Sequence, residues 1–207
     1  MNRKLITLLA AGALVISGLN AFGGENSENA LKKAATDIPK EKDQLGVQAT
    51  LVEFENVAQM DTYFEGCYGV AIFPTIGKGG LGIGGSYGTG WVFRQGDYTG
   101  EAKKSQVTIG FQAGGQAFSQ IIFFENEAAY LNFTSGEFEF GAQASAVALT
   151  AGANASASTG GGSSAGAGSN QAKQDYTGGM AIFTVAKGGL MYEASLGGQK
   201  FKFKPAK

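Results

Sequence analysis

Two lysines stand where their chemistry could serve a ligand. Lys78 opens Lys78-Gly79-Gly80-Leu81, and Lys187 opens Lys187-Gly188-Gly189-Leu190. Each follows an apolar run, Ala71-Ile72-Phe73 before the first and Ala181-Ile182-Phe183 before the second. A lysine beside glycines, whose backbone N–H groups no side chain screens, can hold a phosphate or another anion. The plainer reading is that each lysine keeps its turn hydrated. If the two turns lie side by side, they define a site for an anionic headgroup, which Lys200, Lys202 and Lys204 would widen.

Other chemistries find little support. The chain has no histidine and one cysteine, Cys67, so no Cys-His or Ser-His arrangement exists and zinc lacks its usual ligands. Cys67 reads as a buried small hydrophobe ahead of a strand. Gly80-Leu81-Gly82-Ile83-Gly84-Gly85 has the spacing of a dinucleotide loop. A glycine-rich chain produces that match by chance, and a strand rather than a helix is expected after it. Glu137 and Glu139 alternate on a strand and read as solvated. No catalytic residue, metal ligand or cofactor is assigned, and the expectation is a protein that is not an enzyme. A deep polar pocket with convergent carboxylates would be the sign of the contrary.

The elements that must position the lysines are glycine-rich. The 207 residues include 34 glycines and only 3 prolines, without a collagen period. Glycines set among aliphatic and aromatic residues favour close backbone contacts in a β-rich fold. The two Ala-Ile-Phe…Lys-Gly-Gly-Leu copies read either as paired strand-turn-strand units of one sheet system or as unrelated strands sharing turn chemistry. Along the chain, residues 1–23 have a basic start, an apolar run and small residues at Ala21 and Gly23, the pattern of a secretory signal peptide cut near Gly23. Removing Arg3 and Lys4 from the 16 basic residues leaves 14 against 17 acidic ones, a net charge of about −3, which argues against nucleic acid as a partner.

Helices are predicted from Glu25 to about Lys42, capped by Ser27, and between Gln44 and Gly66, with Asn56 capping the second of two. The first of these segments, with Ala30, Leu31, Ala34, Ala35 and Ile38 on one side, reads as packed on the body or, with Lys32 and Lys33 flanking its stripe, as a membrane-surface helix. Strands follow at Val70–Phe73, Leu81–Gly85 and Trp91–Arg94, with turns at 74–79, 88–90 and 95–97. In Leu81–Gly85 glycine replaces every second side chain, so something must pack close to that bare face. An alternating strand is expected over 107–113, an apolar one over Phe118–Phe124, a short helix over Glu125–Thr134, and a strand over 138–148. Residues 151–174 read as a flexible Gly/Ser/Ala loop. The final Phe201-Lys202-Phe203-Lys204 reads as an edge strand protected by lysines.

Taken together, Tyr68-Gly69-Val70-Ala71-Ile72-Phe73-Pro74, Gly77-Lys78-Gly79-Gly80 with Gly84-Gly85, Gln106 to Gln120, Gly141-Ala142-Gln143-Ala144 and Lys187-Gly188-Gly189-Leu190 make the chain resemble the SYLF family of lipid-binding domains, in particular secreted bacterial members. The resemblance covers roughly Leu45 to Phe203. It implies membrane-lipid binding, and carries that role onto Lys78, Gly79, Gly80, Lys187, Gly188 and Gly189 by motif, and onto Lys32 and Lys33 by position in an N-terminal helix. Eukaryotic relatives are linked to phosphoinositides and actin. A signal peptide argues against both, and favours anionic phospholipid or lipopolysaccharide headgroups at a bacterial membrane, bound peripherally by a periplasmic or secreted protein. The expected fold is α+β: one domain over residues 24–207, a glycine-rich and mainly antiparallel sheet, with a barrel-like curl as a variant, N-terminal helices and one short internal helix. The competing function is a structural or protein-interaction module of the periplasm, independent of lipid.

Overall fold

The computed structural model describes residues 25–57, 60–140, 147–149, 175–196 and 198–207. The predicted signal peptide and the 151–174 loop lie outside the described residues. Three helices come first: α1 (Glu25–Ala34), continued by a 3-10 turn at Ala35–Asp37, α2 (Glu41–Glu55) and α3 (Asp61–Gly66). Leu31, Ala34, Ala35 and Ile38 are buried, so the alanine-rich stripe of α1 and the turn packs on the body rather than presenting itself to a membrane. Pro39 then breaks the pattern, since it cannot donate a helical hydrogen bond. Two cap expectations are corrected. Ser27 lies inside α1, and Asn56 closes α2 instead of opening α3. Val57, Met60, Tyr63 and Phe64 are buried as their spacing predicts.

One six-stranded sheet holds β1 (Gly69–Arg94), β2 (Asp97–Phe124), β3 (Glu137–Phe140), β4 (Val147–Leu149), β5 (Met180–Leu196) and β6 (Gln199–Pro205). The path is β3-β6-β2-β5-β4, with β1 on the other edge of β2, and it does not close into a barrel. All pairings are antiparallel except β4 with β5. β5 and β6 follow one another along a single edge of β2: Leu196 faces Ile109 and Gln199 faces Gln106. The predicted C-terminal edge strand is therefore interior, because β3 covers its outer side. A helix α4 (Glu127–Thr134) is opened by Asn126, whose side chain accepts from the Ala129 N–H at 3.0 Å.

The turns expected at 74–79 and 88–90 are absent, and β1 runs through both as strand. Of the three turns expected there, only the one at Gln95-Gly96 reverses the chain, with φ of 49° and 87°, the left-handed pair that a two-residue hairpin needs. Glycine serves a different purpose in β1. The strand doubles back on itself, so that the Gln95 N–H donates to the Tyr68 carbonyl at 3.2 Å. A Cβ on Gly90 would lie 2.5 Å from the Phe73 ring and 2.7 Å from the Ile72 oxygen; one on Gly88 would lie 2.6 Å from the Ile76 side chain. The strand's own first half thus fills the space beside Gly88 and Gly90, whereas the bare face predicted at Leu81–Gly85 is not covered by it: a Cβ on Gly80 would meet Gly84 and one on Gly82 nothing within 4 Å. Gly82, with φ of 71°, lies where the β1–β2 register slips, between Leu81 and Ile83.

Two apolar cores alternate along the strands. Val70, Ile72, Ile121, Phe123 and Phe183 join α1–α3 in one. Ala71, Phe73, Ile122, Phe124 and Ile182 join α4 and Phe201 in the other. Over 107–113 the expected alternation is inverted where side chains are described: Val107 and Ile109 are exposed while Thr108 is buried. Thr108 shares strand parity with Ala102 and Lys104, which are buried as well.

Candidate functional site

The two Lys-Gly-Gly-Leu copies do belong to one sheet system. β1 and β5 flank β2 in the same direction: Lys78 faces Gln116, which faces Gly189 on its other side. The backbones at Lys78 and Gly189 are thus separated by one strand, about 10 Å at ordinary strand spacing. Neither copy is a turn. Gly79 and Gly80 continue β1, and Gly188 and Gly189 continue β5. Lys187 itself is a bulge residue, because the β2 register passes from Gly188 directly to Ala186.

The bulge sends Lys187 toward the helices. Its Nζ lies 4.0 Å from a Glu53 carboxylate oxygen on α2. That same oxygen accepts a 2.6 Å hydrogen bond from Ser119, which also donates to the Val185 carbonyl at 3.4 Å. Lys32 is engaged in the same way, 3.0 Å from Glu55. An anion approaching Lys187 or Lys32 must displace a carboxylate already in place. Lys33 is exposed on α1. Lys200 and Lys202 stand opposite Glu139 and Glu137 on β3, at 3.4 and 3.3 Å, so the acids predicted to be merely solvated form exposed cross-strand pairs.

Lys78 has a different neighbour. It lies close enough to Lys104 on β2 for its charge to act there. Lys104 is 1 % exposed, and its Nζ donates to Gln120 Oε1 at 2.8 Å and lies 4.9 Å from the Phe118 ring centre. Gln120 in turn donates to Gln199 Oε1 on β6 at 3.3 Å. Burial pushes the Lys104 ammonium down to about 7, and the Lys78 charge adds to the effect. The predicted lysine pair, Lys78 with Lys187, is therefore not brought together on one face. Lys187 joins the helix side with Ser119, and Lys78 joins Lys104 and Gln120, whose strand parity is that of Ile122.

Sequence reasoning missed Lys104. Its one signal is that it shares strand parity with Ala102, which becomes meaningful only once β1 is known to fold over it. The charge pattern around it was legible. Between Glu65 and Asp97, and again between Glu101 and Glu125, the sequence holds no acidic residue, so the β1–β2 ribbon away from its hairpin carries only Lys78, Lys103 and Lys104 as charges.

The glycine spacing at 80–85 stays in strand, with no helix N-terminus behind it to receive a pyrophosphate. Among the described residues no three His, Cys, Asp or Glu side chains are grouped to hold a metal ion. Nor, among them, is any helix long and apolar enough to cross a membrane. Residues 105–206 match the Ysc84 family, described as Las17-binding protein actin regulator. The matched segment begins in β2, at Ser105, and includes the second Lys-Gly-Gly-Leu copy but not the first. No curated protein matches the chain.

Proposed function

We propose that this chain, which belongs to the SYLF family through its Ysc84 segment at residues 105–206, binds anionic membrane lipid reversibly and without catalysis. The observation that carries the reading is the pair of acid-free stretches of the β1–β2 ribbon, 66–96 and 102–124, which hold Lys78, Lys103 and Lys104. Lysine ammonium groups on a stretch of strand poor in carboxylates can take a phosphate as a further acceptor. Phospholipid and lipopolysaccharide headgroups both supply one. Residues 1–23, read as a secretory signal, set that membrane in a bacterial envelope, with the mature protein peripheral to it. Lys78 and the exposed Lys103 are the headgroup contacts in this reading, while Lys104, 1 % exposed, adds only its charge from beneath. Lys187 and Lys32 contribute less, because Glu53 and Glu55 compete for them, and Lys33 adds a long-range attraction.

Cosedimentation of the secreted form with phosphatidylglycerol vesicles tests it. Binding should exceed that to phosphatidylcholine vesicles, fall with added salt, and drop about fivefold in Lys78→Ala. Equal binding to both vesicles, or none to either, rejects the reading. A second reading, a protein-interaction module, draws on the family description, which names a protein partner, and on β1, whose sole strand partner among the described residues is β2. Capture of an envelope protein that persists in the absence of lipid favours it.

A further inference from the structure

We infer that Leu81, Ile83, Tyr87, Val107 and Ile109 form a membrane-insertion ridge that enters the acyl boundary of an anionic bilayer. This rests on the lipid reading above and assigns it a depth and an orientation. The five side chains are exposed by 84, 67, 57, 68 and 69 %. Single exposed apolar residues are ordinary, but these are neighbours. Ile83 pairs with Ile109 across the ribbon, and Gly85 and Tyr87 on β1 face Val107 and Ser105 on β2. Alternate residues share a face, so Ile83 and Tyr87 lie on the same side as Val107 and Ile109. Leu81 precedes them across the register slip at Gly82.

The inversion of burial over 107–109 gives the ridge its meaning. The strand places threonine inside and valine and isoleucine outside, an arrangement that water alone does not favour. It becomes favourable when the outer face meets hydrocarbon.

Charge identifies the occupant. The ribbon holds no acid along 66–96 or 102–124, and the carboxylates that border the ridge, Glu101 and Glu139, each face a lysine, Lys103 at 3.8 Å and Lys200 at 3.4 Å. Lys103 lies on the ridge face of β2, two residues from Ser105, with its side chain 55 % exposed and only loosely held by Glu101 at 3.8 Å. A cation bordering an apolar strip, with a tyrosine between the two, matches the layering of a bilayer surface: headgroup phosphate, interface, acyl chain. A second copy of this chain would bring the same cation against itself.

The test uses Tyr87→Trp in the full secreted protein. The native Trp91 is 7 % exposed and supplies a fixed background. On phosphatidylglycerol vesicles carrying bromine in the acyl chains, the introduced indole should be quenched and blue-shifted. The Ile83→Ser/Ile109→Ser protein should lose at least about tenfold in partitioning while keeping its circular dichroism and melting curve. If the protein binds these vesicles but the indole is not quenched and the double variant binds as well as the parent, the ridge is not the insertion element and the headgroup reading stands. If the parent protein ignores anionic vesicles, both fall together. If the double substitution instead converts a dimer to a monomer in sedimentation, the occupant is a second copy and the inference is overturned.

Discussion

Lys78 and Lys187 begin identical four-residue motifs on two strands flanking a third, yet they end in opposite surroundings. Lys187 sits on a bulge, within 4.0 Å of a helix carboxylate that Ser119 also holds. Lys78 sits in a regular ladder, near a second lysine, in a stretch of strand with no acid between residues 66 and 96. The motif supplies a cation on a glycine-rich strand. What packs against the strand decides which groups that cation meets. A one-residue bulge is enough to separate the two outcomes, because it changes which elements the side chain can reach.

The comparison can be broken most forcefully at the doubled-back strand. Gly90→Val puts a branched side chain onto the Phe73 ring and the Ile72 carbonyl, and is expected to cost about 3 kcal/mol or more in urea unfolding. A loss under about 1 kcal/mol would mean that β1 does not return on itself. Next is Glu53→Gln. It removes the acceptor charge shared by Ser119 and Lys187, and is expected to destabilise by about 1–2 kcal/mol while raising anionic-vesicle binding severalfold. Unchanged binding would show that Lys187 was never restrained by Glu53.

Proton linkage sharpens the other side. The Lys104 ammonium is held down at about 7 in the fold against its ordinary 10.5, so between those values the unfolded chain binds the extra proton. Stability should rise with pH across that window, by at most about 1.4 kcal/mol per pH unit, and level off below 7. Lys104→Met should flatten the slope in urea titrations at pH 7, 8 and 9. An unchanged slope assigns the titration elsewhere. The smallest effect belongs to the exposed β3–β6 pairs. Glu137→Ala and Glu139→Ala should each shift stability by less than about 0.5 kcal/mol, and the shift should vanish at high salt.

Much of the architecture was legible from local pattern. The buried stripe of α1, the Val57–Phe64 face, the Val70–Phe73 and Phe118–Phe124 strands, the Gln95-Gly96 reversal and α4 all follow from periodicity and turn chemistry within a few residues. What failed depends on contacts between distant segments. Pro74 and the glycines at 77–80 and 88–90 carry turn signals locally, but Gly88 and Gly90 are glycine so that residues 72–76 can pack on them. The same return covers the Lys104 side of β2 and turns Val107 and Ile109 outward. The candidate site shifted for the same reason. The lysines could be found in the sequence, whereas the carboxylate that claims Lys187 comes from α2 and the cation that joins Lys78 comes from β2.

Cys67 offers a last consequence. The residue is 1 % exposed, and burial pushes the thiol up to about 12. At neutral pH only about one molecule in 10⁵ then carries the thiolate that attacks disulfides, against a few per cent for an ordinary solvated cysteine. Once folded, the chain would pass through an oxidising medium chemically silent, neither cross-linking to its neighbours nor needing an isomerase to undo the error.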